Sequence, residues 1–159
     1  MKLIELVPEG AISTTLQSTQ RDDVVAEMVD LLVAAGSVEV ESRDDLVAKV
    51  LSREQTGSTG YGRGVAVPHV KQTGVGTMSV AIGLSQTGVD FNALDRQPVF
   101  SVFLLLSPID RPEEHLQAME AIFKQLSKET FRRFLRQAAT IEDVRTLLQE
   151  ADSKQAAGQ

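Results

Sequence analysis

The feature that most constrains the fold of this chain is a nearly continuous apolar run, Pro98-Val-Phe-Ser-Val-Phe-Leu-Leu-Leu106. A strand with one face in water alternates apolar and polar residues, whereas a strand covered on both faces is apolar throughout. This run therefore predicts a strand inside a sheet that is buried on both faces. Residues 65–67 and 77–84 are also rich in β-forming types and predict two further strands.

Helical patterns lie on both sides of these strands. Apolar residues recur at helical spacing in five segments: 24–32, 46–51, 116–126, 128–138 and 142–151. Thr19-Gln-Arg-Asp22 and Ser42-Arg-Asp-Asp45 resemble helix start signals, and Gly36 is a natural stop. Pro112 suits a first helical turn, and Thr140 is positioned to cap the last helix. Together these patterns predict an α/β layer fold, while strand order and direction stay open.

Composition narrows the possible partners and chemistry. The chain has 159 residues, enough for one domain with a real core, and a net charge of −6 without a Lys/Arg cluster. This acidic net charge argues against a nucleic-acid or membrane partner. Cysteine is absent, which excludes disulfides and thiolate chemistry. No run is long enough for membrane insertion, and no secretory signal is evident, so we expect a cytoplasmic protein.

One of only two histidines follows a glycine-rich stretch, Gly57-Ser-Thr-Gly-Tyr-Gly-Arg-Gly-Val-Ala-Val-Pro-His69. Neutral imidazole has a free lone pair that can attack phosphorus and hold a phosphoryl group covalently. A histidine that merely closes a strand fits the same pattern. The glycine loop is either a flexible turn or an oxyanion cradle of backbone N–H groups. A nucleotide P-loop is disfavoured, because no Gly-Lys-Ser/Thr ending is present.

Other candidate site residues lie outside this stretch. Arg53 ends a predicted helix, where it is either a solvated cation or a ligand for an anion near His69. Arg63 and Lys71 are secondary candidates of the same kind. His115 shares a helix face with apolar residues, which turns it toward the sheet. It is therefore either a structural histidine or a second imidazole that meets His69.

Two other kinds of site receive little support. A metal site on the two histidines lacks a spacing that singles out a third ligand, although Glu113-Glu114 is nearby. A hydrolytic triad of Ser58, His69 and either Asp95 or Asp110 lacks the Gly-x-Ser-x-Gly nucleophile elbow. We therefore expect no metal and no cofactor.

Four segments together resemble a known family: Leu51-Ser-Arg53-Glu54, the stretch ending in Pro68-His69, Phe91-x-Ala-x-Asp95-x-Gln97-Pro98 and Glu114-His115-Leu116. They are similar to the IIA domain of the fructose/mannitol class of the bacterial phosphoenolpyruvate-dependent sugar phosphotransferase system. That class includes the nitrogen-related regulatory IIA protein. The resemblance covers residues 11 to about 150 and implies one α/β domain, a mixed β-sheet flanked by helices on both faces. We assign residues 1–152 to it and predict a disordered tail over 153–159.

The resemblance implies a phosphotransferase with a phosphohistidine intermediate. His69 would accept a phosphoryl group from HPr or a relative of it, and would pass it to a IIB domain or keep it as a regulatory signal. Arg53 would neutralise phosphoryl oxygens, and His115 would hydrogen-bond the phosphoryl group or orient His69. The family usually has a small residue after the histidine, whereas this chain has Val70, which leaves less room for a partner.

Two alternatives to sugar transport stay open. One is a regulatory binding module whose phosphorylation state controls a partner protein. Because nothing in the chain resembles a IIB or IIC domain, we expect a free-standing unit. A free-standing unit favours the regulatory module. The other is a ligand-binding or hydrolytic protein that uses the glycine loop. The sequence leaves open which imidazole nitrogen of His69 reacts.

Overall fold

The computed structural model describes residues 1–72 and 75–158 of the chain. In this part the chain forms six helices and six strands. The helices are α1 (Leu3–Leu6), α2 (Arg21–Ala34), α3 (Arg43–Thr56), α4 (Pro112–Leu126), α5 (Glu129–Gln137) and α6 (Ile141–Gly158), with a short 3-10 turn at Val40–Ser42. The strands are β1 (Ile12–Ser13), β2 (Gly60–Gly62), β3 (Val65–Ala66), β4 (His69–Gln72), β5 (Ser79–Val89) and β6 (Val99–Pro108).

The strands form a single mixed sheet in the order β1-β5-β6-β3-β2, with β4 also paired to β6. The long strands β5 and β6 are antiparallel, and Ile82 lies opposite Phe103. Strands β3 and β4 both run parallel to β6 and follow one another along it, separated by Val67 and Pro68. The predicted α/β class and mixed sheet are confirmed. Strands β2 and β4 were not predicted.

Strand β6 is the centre of the core, as its apolar run predicts. Every residue of this strand is buried except the partly exposed Phe100. Phe103 is 1% exposed, and Leu104, Leu105 and Leu106 are fully buried. Burial of one such side chain contributes about 1.5–3 kcal/mol to folding. Helices α4 and α5 pack on β6, while α2 packs on β5 and α3 on β4.

Most of the predicted helix boundaries are confirmed. Gly36 follows the end of α2 with a φ of 81°, a left-handed conformation that glycine adopts without steric cost. Pro112 is the first residue of α4. The Thr140 hydroxyl accepts a hydrogen bond from the Asp143 N–H at 3.1 Å, as an N-cap does. Helix α3 begins directly after Ser42, although the Ser42 side chain makes no capping bond.

The capping box predicted at Thr19 is wrong. Helix α2 begins at Arg21, and its N-cap residue Gln20 makes no side-chain capping bond. The backbone there is engaged elsewhere, because Asp90 donates its N–H to the Thr19 carbonyl at 2.8 Å and accepts from the Arg21 N–H at 2.9 Å. Pairing with the end of β5, which is distant in sequence, replaces the local cap.

The two ends of the domain are joined by Asp152 of α6. Its carboxylate is buried and accepts the backbone N–H groups of Leu3 at 2.9 Å and Ile4 at 3.0 Å.

Helix α6 continues to Gly158 and includes residues for which the sequence predicts a disordered tail. Ala156 and Ala157 have the highest helix propensity, which accounts for this extension. The domain limit at residue 152 stays a prediction. None of the described helices has the length and apolar composition required to cross a membrane.

Candidate functional site

His69 is the first residue of β4, and backbone hydrogen bonds hold the segment before it. The Pro68 carbonyl accepts the Leu105 N–H of β6 at 3.0 Å, and the Val67 N–H donates to the Thr59 carbonyl at 3.1 Å. The ring itself is bonded through Nδ1 to the Val67 carbonyl oxygen at 2.8 Å. A carbonyl oxygen can only accept, so Nδ1 carries the hydrogen. In the neutral ring the lone pair therefore lies on Nε2.

The His69 ring stays neutral over a wider pH range than a free histidine. Its partial burial is the main cause of a lowered pKa. The bond to Val67 acts in the opposite direction, and the nearby charge of Arg53 lowers the pKa further. At pH 7 most molecules therefore have an unprotonated Nε2, which is the form a nucleophile requires.

His115 lies in the first turn of α4 and is only 6% exposed. Its ring centroid is 5.6 Å from that of His69, and the ring planes are inclined by 50°. Its Nδ1 is 2.7 Å from the Oγ of Ser107 in β6. Burial, followed by the charges of His69 and Lys71, lowers the pKa of His115 to about 4. The structure thus places two neutral imidazoles side by side, as one of the two sequence hypotheses for His115 predicts.

Arg53 lies in the last turn of α3, close enough to His69 for its charge to affect the imidazole. Its Nη1 donates to the Gly57 carbonyl at 2.8 Å, which holds the guanidinium at the start of the glycine loop. No carboxylate within residues 1–72 and 75–158 pairs with it. Its remaining N–H groups can therefore bind an anion at the histidines.

Strand alternation places Lys71 on the same face of β4 as His69, because side chains two residues apart point the same way. On the opposite face, Gln72 donates to Asp45 of α3 at 2.6 Å, and Val70 packs against the core. Lys71 is exposed, and its charge lowers the pKa of both histidines. Val70 therefore points away from the imidazole, so its side chain does not fill the space in front of His69.

Three N–H groups of the glycine loop are already engaged within the chain, so they are not free for the cradle that the sequence suggests as one alternative. The Thr59 N–H donates to Glu54 at 3.0 Å, and the Gly60 N–H donates to Ser58 at 3.0 Å. The Arg63 N–H donates to Asp95 at 3.2 Å. The loop instead packs tightly, because a Cβ at Gly60 would lie 2.9 Å from the Cα of Ala93.

Glu54 is a residue that sequence reasoning missed. It is 2% exposed, and its two carboxylate oxygens accept the N–H and the hydroxyl of Thr59. This pairing fixes the end of α3 against the strand that leads to His69. The charge of Glu54 raises the pKa of His69 and so partly offsets the effect of Arg53. Its sequence signal, a Glu next to Arg53, is typical of a solvated helix end.

Two residues of the alternative hydrolytic triad make other contacts. Ser58 donates to the Phe91 carbonyl at 3.3 Å, and Asp95 accepts from the backbone of Arg63 and Gln97. His69 Nδ1 bonds to a carbonyl instead of a carboxylate, so no hydrolytic triad forms. In the described ranges there is no group of three or more His, Cys, Asp or Glu side chains that could hold a metal ion.

The fold agrees with the family comparison. Residues 5–151 match the family described as "Phosphoenolpyruvate-dependent sugar phosphotransferase system, EIIA 2". The chain belongs to this family. Membership makes it a phosphocarrier component, which takes part in the transfer of phosphoryl groups between proteins.

Individual relatives include both sugar-specific and regulatory proteins. The fructose-specific EIIA component of Haloferax volcanii is 33% identical over 94% of this chain and 88% of its own length. The fructose-specific EIIABC component of Bacillus subtilis is 32% identical over 96% of this chain, which spans only 24% of that longer protein. The crystal structure of the nitrogen regulatory protein IIA-Ntr of Neisseria meningitidis superimposes with a TM-score of 0.82 at 30% identity. That match covers 91% of this chain and 97% of the other.

Proposed function

We propose that His69 accepts a phosphoryl group on Nε2 from a phosphohistidine of HPr or a relative of it. The observation that carries this proposal is the 2.8 Å bond between His69 Nδ1 and the Val67 carbonyl. This bond leaves Nε2 as the nitrogen with a lone pair, on a ring held in place by the backbone. Transfer then continues to a IIB domain, or the phosphorylated protein acts as a signal. A cytoplasmic location stays a prediction from composition.

The transfer step requires no proton movement at the attacking nitrogen. The lone pair of His69 Nε2 forms the new bond to phosphorus, while the phosphorus–nitrogen bond of the donor breaks. The electron pair of that bond returns to the donor imidazole. Nδ1 keeps its hydrogen, which stays hydrogen-bonded to the Val67 carbonyl. This bond stabilises the positive charge that develops on the His69 ring. Onward transfer to an acceptor is the same step in reverse.

The surrounding groups are suited to phosphoryl transfer, where positioning and charge stabilisation dominate catalysis. Arg53 offers N–H groups to the phosphoryl oxygens, and Lys71 adds a second cation on the same strand face as His69. His115 hydrogen-bonds the phosphoryl group from the neighbouring ring. The low pKa of His115 keeps it neutral, so it does not repel the positive charge developing on His69.

Exposed apolar side chains next to these groups provide a surface for partner proteins. Leu116 follows His115 in α4 and is 62% exposed, and Ile109 precedes that helix and is 53% exposed. Tyr61 of β2 is 43% exposed and lies within the influence of the Arg53 charge. Aromatic side chains are enriched at protein interfaces, and the buried core of an interface is apolar. The name EIIABC of the Bacillus relative supports a IIB acceptor.

The test is incorporation of labelled phosphate from phosphoenolpyruvate in the presence of enzyme I and HPr. We expect acid-labile label on the wild-type chain and none on His69→Ala. His115→Ala removes the other imidazole and leaves the nucleophile, so after long incubation it should still take up label, only more slowly than the wild type. Equal labelling of wild type and His69→Ala would show that another residue accepts the phosphoryl group.

A second candidate function is regulation of a partner protein by the phosphorylation state, without sugar transport. The 30% identity with a nitrogen regulatory protein and the superposition over 91% of this chain favour it. Partners recovered from the source cell with wild type and with His69→Asp would be compared by mass spectrometry. A partner that binds only one of the two forms is expected. Identical recovery with both would count against regulation by phosphorylation.

A further inference from the structure

Ser107 lies at the second-to-last position of β6 and is completely buried. Its hydroxyl makes one hydrogen bond within the described residues, to Nδ1 of His115 at 2.7 Å. Other serine hydroxyls of this chain donate to backbone carbonyls, as Ser127 does to Lys124 at 2.9 Å and Ser79 does to Thr77 at 3.3 Å. The Ser107 hydroxyl has no such carbonyl, so His115 is the acceptor available for its hydrogen.

This single bond decides which nitrogen of His115 carries the hydrogen. If Nδ1 were protonated, the Nδ1–H would donate to Ser107 Oγ, and the buried hydroxyl hydrogen would have no partner. A buried donor without a partner costs about 1–3 kcal/mol. The favoured arrangement has the Ser107 O–H donating to an unprotonated Nδ1. The hydrogen of the neutral His115 ring is then on Nε2.

The second nitrogen of His115 is open to a ligand. In the described part of the chain, Gln125 Nε2 is the one buried side-chain nitrogen or oxygen that lacks a hydrogen-bond partner. His115 Nε2 also makes no hydrogen bond among the described residues, yet it is not one of the buried atoms without a partner. It is therefore exposed at the surface of the site. The adjacent His69 ring, 5.6 Å away between centroids, carries its hydrogen on the other nitrogen. The two rings are therefore held in opposite tautomers.

We propose that Ser107 is a positioning residue that fixes the Nε2–H tautomer of His115, so that this N–H donates to a phosphoryl oxygen on His69. The catalytic role of this N–H rests on the proposed function of His69, whereas the tautomer of His115 does not depend on that function. Without the Ser107 hydroxyl, His115 would divide between two tautomers. Only one of them presents a donor to the phosphoryl group.

The tautomers can be read by ¹⁵N NMR of the unphosphorylated protein labelled at histidine, at pH 7. We expect the Nδ1–H form for His69 and the Nε2–H form for His115. In Ser107→Ala, the ¹⁵N shifts of His115 should move toward the average of the two tautomers, while those of His69 stay unchanged. Ser101→Ala is the matched control, because it removes another buried hydroxyl from β6.

The same variants are then tested for phosphoryl acceptance from phospho-HPr. We expect Ser107→Ala to slow acceptance about three- to tenfold, the effect of one hydrogen bond, and Ser101→Ala to match wild type. An Nδ1–H form of His115 in the wild type, or unchanged shifts and rate in Ser107→Ala, would overturn the proposal. If Ser107→Ala fails to fold, the wild-type spectrum alone still decides the tautomer. Label on His69→Ala would instead refute the proposed function and leave the tautomer result standing.

Discussion

The two histidine regions hold the same type of side chain by different contacts. At the start of β4, a backbone carbonyl holds the half-buried His69, while at the start of α4 a serine hydroxyl holds the buried His115. A carbonyl can only accept, so it determines the tautomer of His69 whatever the side chain of residue 67 is. A hydroxyl can donate or accept, so the state of His115 depends on one side chain in β6. In the proposed function, the backbone therefore holds the nucleophile, whereas one replaceable side chain holds the hydrogen-bond donor.

Among the substitutions in the two histidine regions that leave His69 in place, His115→Ala should have the largest effect on the rate of phosphoryl acceptance. Loss of one preorganised donor to a transition state typically slows a reaction about 10²–10³-fold. We expect a decrease of this size in the rate of phosphoryl acceptance, with the label still on His69. Rapid-quench measurements with phospho-HPr would determine the rate. A rate within threefold of the wild type would mean that His115 is structural.

The stability that the buried His115 contributes should depend on pH. An unfolded histidine has a pKa near 6.5, whereas burial lowers the pKa of folded His115 to about 4. Between these values only the unfolded chain binds the proton, so stability is lost as the pH falls from 6.5 to 4. The contribution of His115 to this loss is on the order of 2–3 kcal/mol.

Urea unfolding of wild type and His115→Gln at pH 6.5 and pH 4.5 would measure this contribution. The carboxylates titrate in both proteins, so the difference between the two isolates the histidine. We expect the wild type to lose more stability than the variant. Equal losses would indicate that the His115 ring is as easily protonated as in water.

Arg53→Met tests whether the His69 region depends on the guanidinium of Arg53. We expect phosphoryl acceptance to slow about 10- to 150-fold, since charge-assisted hydrogen bonds to phosphate contribute about 1.5–3 kcal/mol. Arg53→Lys should recover only part of the rate, because an ammonium lacks the planar fork of a guanidinium. Full activity of Arg53→Met would mean that Arg53 is only a solvated residue at the end of α3.

The smallest effect is expected for Lys71→Met, because this lysine is exposed and screened by solvent. We expect a decrease of about three- to fivefold in acceptance that shrinks as ionic strength rises. Lys49→Met is the matched control, since it removes an exposed lysine from α3 and the same net charge. If the two variants behave alike, Lys71 contributes only to the overall charge.

The sequence predicted the elements of the fold better than it predicted the contacts of the site. The β6 run and the stop at Gly36 are strong local signals, and both are confirmed. Strand β4 was missed because Pro68-His69 resembles the end of a strand, whereas pairing with β6 begins a new one. Thr19 failed as a cap because its carbonyl pairs with Asp90, a partner about seventy residues away in the chain.

Within the site, the sequence drew attention to His69, His115 and Arg53 and missed the groups that control them. The carbonyl of Val67 belongs to the backbone and leaves no side-chain signal. Ser107 is an ordinary small residue at the end of an apolar run, and only the turn from β6 into α4 brings it to His115. Which nitrogen of each ring carries hydrogen is a property of these contacts, so sequence patterns could not provide it.

We propose that the Val67 carbonyl, by holding the hydrogen of His69 on Nδ1, leaves Nε2 as the phosphoryl acceptor. This assignment can be read by ³¹P and ¹⁵N NMR of the protein phosphorylated by phosphoenolpyruvate, enzyme I and HPr. We expect a single phosphohistidine, with coupling between phosphorus and Nε2 of His69 and a hydrogen retained on Nδ1. Coupling between phosphorus and Nδ1 of His69, or to either nitrogen of His115, would contradict it.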